Sequence, residues 1–205
     1  MYVLETIHSV LARLSRYAVW VAGAAMLLAA IMVTVDVLCR KIFSITMSGS
    51  DEISGYVFAA GTTWSYSYCL IHRSNIRIDA LYNLLAPIVR AVLDLVGLVL
   101  LFIYIGYLTL KSWDVFFTSW SSDPPSLAVS SLATPLWIPQ MFWVSGLIMF
   151  VVTLAFLIVY AAVALVTGDI QRVQNVAGTL SVEEEIEEET HGIEELRSKS
   201  NGGGA

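Results

Sequence analysis

Four long apolar stretches, separated by shorter polar ones, set the rhythm of this chain. The first is YAVWVAGAAMLLAAIMVTVDVL at 17–38, and the second is ISGYVFAAGTTWSYSYCLI at 53–71. The third lies within 84–110, and the fourth, MFWVSGLIMFVVTLAFLIVYAAVALV, covers 141–166. A helix needs about 20 mostly apolar residues to cross roughly 30 Å of hydrocarbon. Backbone groups in lipid must be bonded within their own segment, so stretches of this length predict helices rather than barrel strands. The expected fold is an all-α membrane protein with four transmembrane helices over residues 17–168.

The flanks are read on the same terms. Leu4, Ile7, Leu11 and Leu14 recur at helical spacing opposite His8 and Arg13. Residues 1–16 therefore read as an amphipathic helix lying in the interface, or equally as a plain extension of the first span. The first apolar stretch is too long for a signal peptide and lacks an A-x-A-like cleavage site. Residues 169–205 are a Glu-rich tail. Ser181 and Glu184 have the spacing of a capping box, but repulsion among the glutamates predicts partial disorder.

Composition supports the membrane reading. The chain has 205 residues, 57% of them hydrophobic and 14% charged, with a mean hydropathy of +0.74. Water-soluble domains carry about 25% charged residues. The net charge of −6 belongs to the tail, because residues 1–168 hold equal numbers of acidic and basic side chains. Without a basic stripe to neutralise phosphates, a nucleic-acid partner is not expected. Cys39 and Cys69 are expected at opposite membrane faces, as thiols unable to meet.

The distribution of Lys and Arg sets the orientation. Arg13, Arg16, Arg73, Arg77, Arg90 and Arg172 flank one side, against Arg40, Lys41 and Lys111 on the other. The expected topology is N-in and C-in. Trp113, Trp120, Trp137 and Trp143 then cluster at the outer face, around a predicted loop over 111–140. That loop either binds something or, as the preferred reading, tucks back onto the bundle. Pro139 is placed to open the fourth helix.

Candidate chemistry is sparse. Haem ligation commonly takes paired histidines on facing helices, and His8, His72 and His191 all lie outside the spans. No His or Lys in a span can serve a nucleophile as its base, and the span interiors lack paired carboxylates for a di-metal centre. Neither an enzyme nor a cofactor is expected. Asp36 with Arg40, and Arg90 with Asp94, stand four apart near span ends, where pairing and snorkelling satisfy them; the alternative reading is a proton or ion path.

Polar groups at the helix ends attract two kinds of reading. Ser48 or Ser50 can cap the second span, and Asp51 and Glu52 in its first turn suit the helix dipole. The sharper reading makes Asp51 and Glu52 an outer docking site. At the other end, His72, Arg73, Arg77 and Asp79 lie within CLIHRSNIRIDAL and favour anionic phospholipid headgroups at the inner face. Between them, Gly55, Ala59, Thr63 and Ser67 form a stripe of small residues that permits close helix approach. Such a span is best covered by protein, either its own bundle or a second membrane protein.

Taken in order, SDEIS, HRSNIRIDALYNLL, RAVLDLVGLVLL and TPLWIPQMFWVSGLIM resemble the small permease subunit of tripartite ATP-independent periplasmic (TRAP) transporters, the DctQ-like family. The resemblance covers roughly residues 15–168. It departs from the family pattern in the spacer RSN between His72 and IRID. It implies a division of labour: a periplasmic substrate-binding protein captures an organic acid, and a large TRAP membrane subunit carries it with coupling ions, usually Na⁺. The small subunit would then be a static scaffold. On this chain, His72, Arg73, Arg77 and Asp79 would anchor the scaffold at lipid and at the large subunit. Asp51, Glu52, Trp120, Asp123 and the rest of the 111–140 loop would be candidates for outer docking. The alternative is an independent small carrier or channel that works as a homo-oligomer.

Overall fold

The computed structural model describes residues 2–47, 49–72, 87–122, 127, 133–166 and 190. The protein is all-helical over these residues, with helices α1 (Tyr2–Phe43), α2 (Ser50–Ile71), α3 (Pro87–Ser121) and α4 (Trp137–Val166). A single isolated bridge joins Leu127 to Pro135. Thr6–Phe43, Ile88–Ser121 and Trp137–Leu165 are long and apolar enough to cross a membrane. α2 does not meet that measure. Its 22 residues would reach about 33 Å, but they include Asp51, Glu52 and several hydroxyl side chains.

α1 runs 42 residues without a break, so the amphipathic stretch and the first apolar stretch share one axis. No proline interrupts 1–43. Ser9, Ser15 and Thr34 turn their hydroxyls back onto the carbonyls of Thr6, Ala12 and Ala30. Arg40 and Lys41 lie in the last turn, where the helix dipole favours positive charge. The helix stops at Ser44, whose φ of 56° is left-handed.

α3 departs from expectation. The predicted loop over 111–140 is helical as far as Ser121. The sequence KSWDVFFTSWS loses apolarity but contains no stop signal, since the next prolines are Pro124 and Pro125. Lys111 pairs with Asp114 at 3.2 Å, and Ser112, Thr118 and Ser121 return their hydroxyls to carbonyls four residues back. At its other end, Pro87 occupies the first helical position, where its missing N–H costs nothing. α4 begins at Trp137, with Pro139 inside its first turn.

The helices form an open row in the order α1, α2, α4, α3. α4 and α3 pack along Ala91, Leu98 and Ile105 on one side, and Phe150, Leu154, Leu157, Ala161 and Ala164 on the other. The seven-residue spacings are those of a coiled-coil seam. His8 of α1 lies against Phe156 and Tyr160 near the end of α4, so those two helices run in opposite directions. At the two ends of the row, α1 and α3 expose large apolar faces that include Trp20, Leu27, Leu28 and Ile31, and Leu100, Ile103, Tyr104 and Leu110.

Candidate functional site

Asp36 organises the end of the hairpin between α1 and α2. Its carboxylate is 1% exposed and takes three donors. Arg40 Nη2 donates to Oδ2 at 2.7 Å, Ser50 Oγ to the same oxygen at 3.0 Å, and the Met47 amide to Oδ1 at 2.6 Å. The Arg40 side chain stays half exposed at 51%. A buried carboxylate is costly unless paired and hydrogen-bonded, and this one is both. The i, i+4 pairing of Asp36 with Arg40 is present, but two of the three contacts come from outside α1.

The expected cap of α2 is not made as predicted. Gly49 occupies the N-cap position with φ 92°, and among the described residues no side chain caps the helix. A left-handed N-cap suits glycine, and the Ser50 hydroxyl is drawn to Asp36 instead; Ser48 lies outside the described residues. With Ser50 held inward, Asp51 and Glu52 form the first turn. The Asp51 side chain is exposed. The Glu52 carboxylate accepts a hydrogen bond from the Tyr56 hydroxyl one turn on.

The small-residue stripe divides in two. Thr63 and Ser67 are buried, whereas Ala59 is half-buried and Gly55 is exposed. The close approach of helices centres on two glycines outside that stripe. A Cβ at Gly146 of α4 would lie 2.5 Å from both Thr63 Oγ1 and Trp64 Cδ1, and one at Gly61 would lie 2.7 Å from Met26 Cε. The indole of Trp64 ties α2 to α4 by donating to Phe142 O at 2.9 Å and Ser145 Oγ at 3.1 Å. Sequence reasoning passed over Gly146 and Trp64. The available signal was a lone glycine in an otherwise bulky apolar helix.

At the opposite end of α2, His72 closes the helix. Its amide donates to Tyr68 O at 3.0 Å, and its ring stacks on Tyr68 with centroids 3.9 Å apart. Arg73, Arg77 and Asp79, predicted to join it, lie outside the described residues. So does Asp123. Trp120 is exposed and meets Trp137 edge-on at 4.8 Å, which joins the end of α3 to the start of α4. Cys39 and Cys69 are free. Among the described residues, no three His, Cys, Asp or Glu side chains gather to hold a metal.

Residues 29–168 match the DctQ component of tripartite ATP-independent periplasmic transporters. The chain belongs to the DctQ family. No curated protein and no solved structure matches it. A DctQ-family chain is the small membrane subunit of a TRAP transporter, a transporter component rather than an enzyme. Membership implies in general a large membrane subunit and a periplasmic binding protein as partners. With several membrane-length helices, it suggests a bacterial inner-membrane protein. The match takes in the Asp36 cluster, all of α2, α3 and α4, and stops before the acidic tail.

Proposed function

We propose that this DctQ-family chain is the static scaffold of its transporter, carrying no substrate of its own. All four helices cross the membrane in this reading, N-in and C-in, with α2 shielded by protein. The large subunit moves an organic acid, delivered by the periplasmic binding protein, with Na⁺ as coupling ion. Asp51, Glu52, Trp120 and Asp123 face outward for docking. His72, Arg73, Arg77 and Asp79 hold the inner face to phospholipid and to the large subunit.

The observation that carries this reading is how fully Asp36 is engaged. An intramembrane carboxylate is by default a candidate ion or proton site. Asp36 spends its oxygens on Arg40, Met47 and Ser50, which are contacts within the chain that fix a hairpin. Hydroxyls along the helices are spent in the same way, as with Thr62 and Thr63 on carbonyls of their own helix. Apolar surface, by contrast, is abundant and outward-facing on α1 and α3.

Reconstitution tests the proposal. Liposomes holding this chain alone should take up no organic acid under an inward Na⁺ gradient. Adding the large subunit and the binding protein should restore uptake. Uptake by this chain alone would overturn the scaffold reading in favour of an independent carrier.

A further inference from the structure

α2 carries a ridge that none of the described helices covers. Asp51, Gly55, Phe58 and Thr62 follow one another at i, i+4, i+7 and i+11 along it. The first three are exposed, Phe58 at 64%. Beside the ridge lies a groove of about 610 Å³, formed with Met26, Ala29, Ala30 and Val33 of α1. Its lining is almost wholly apolar, yet Asp51 stands at its end. No other described residue bonds or pairs with the Asp51 carboxylate.

We propose that this groove seats a transmembrane helix of the large subunit, one bearing a Lys or Arg near its outer end to meet Asp51. The proposal rests on the subunit reading above and names the surface through which the two chains join. Size argues for a helix. The groove is bordered by the methyls of Ala29 and Ala30 and by Gly55, where an added Cβ would meet nothing within 4 Å. Small residues let a second backbone approach closely, which is how helices associate in lipid. Elsewhere on α2 the space beside Gly61 is already filled by Met26. Polarity argues for protein over lipid, because the groove carries Asp51 on the one helix that falls short of membrane-spanning apolarity. Charge fixes the register. A carboxylate that no described side chain pairs, near the membrane surface, favours a cation from the incoming helix, and opposite charges placed this way set orientation more than raw affinity.

A Cβ added at Gly55 would meet nothing within 4 Å, and Gly55→Leu reaches from there into the groove; it is used where its melting in detergent matches the unsubstituted protein. The test uses the chain co-expressed with its large subunit and a benzophenone amino acid at Phe58 or, for comparison, at Leu100 on the outer face of α3. The Phe58 probe should capture the large subunit. Gly55→Leu and Asp51→Lys should each lower that adduct several-fold, while Asp51→Glu preserves it. The inference is overturned if the complex copurifies intact but the Phe58 probe captures only lipid or a second copy of this chain. It is overturned too if Asp51→Lys leaves the adduct unchanged. Failure of the unsubstituted chains to copurify would remove the subunit reading together with this one, and copurification measured before illumination tells the two failures apart.

Discussion

Buried positions along α4 repeat as Leu147, Leu154 and Ala161, and as Phe150, Leu157 and Ala164, and along α3 as Ala91, Leu98, Ile105, Ser112 and Ser119; Ala91, Leu98 and Ile105 pack on Phe150, Leu154, Leu157, Ala161 and Ala164. Along α1 the same seven-residue spacing is filled by Ser15, Ala22, Ala29 and Asp36. One helix pair is therefore held by an apolar seam in which Leu98, Ile105, Phe150, Leu154 and Leu157 alternate with alanines. The other is held by small side chains, which bring α1 and α2 close, and by a hydrogen-bonded carboxylate at the tip. The contrast lies in what holds helices together once lipid replaces water. Hydrocarbon tails are as apolar as leucine, so neither pair gains from escaping water, and what remains is close packing and hydrogen bonds. α3 and α4 rely on the first, and the α1–α2 hairpin on both.

Leu154→Ala should produce the largest effect, because it empties a fully buried position on the seam. We expect a loss of about 1–3 kcal/mol, below the roughly 2–5 kcal/mol of water-soluble cores because the separated helices would still be solvated by lipid. Denaturant titration in detergent micelles measures it. Asp36→Ala attacks the hairpin instead and strands the donors of Ser50 and Met47, at about 1–2 kcal/mol. The damage should be local: amide exchange should quicken over 44–50 and stay unchanged along α3 and α4. Asp36→Asn, which keeps a carbonyl acceptor, should lose less. Equal exchange in all three proteins would mean that the carboxylate does not hold the loop.

Ser67→Ala is the smallest change and has the opposite sign. Ser67 is fully buried, and its hydroxyl has no hydrogen-bond partner among the described residues. Removing that hydroxyl should stabilise the protein by about 0.5–1 kcal/mol. A destabilised variant would show that the hydroxyl finds a partner within the bundle.

Much of the architecture was legible because apolar runs of membrane length report helices directly. The end of α3 was not. The limit at Leu110 came from the thickness of a bilayer, whereas a helix ends where the backbone meets a stop, and KSWDVFFTSWS contains none. The α3–α4 seam was hidden for another reason. α4 is apolar on every side, so its contact face leaves no periodic mark in the sequence. The role of Ser50 was misread because capping rules weigh only neighbours in the chain, and Asp36 competes for that hydroxyl from fourteen positions away. The Asp36–Arg40 pair was legible because four-residue spacing is local. The inner cluster remains a sequence reading beyond His72.

The unbroken length of α1 has a mechanical consequence. Its 42 residues extend about 63 Å, twice the depth of a bilayer's oily interior at roughly 30 Å. Set upright across a bilayer, about half of the rod stands clear of the lipid tails while remaining one continuous helix. The foot near His8 and the tip where Asp36 holds Met47 and Ser50 are then kept at a fixed separation by one unbroken helix.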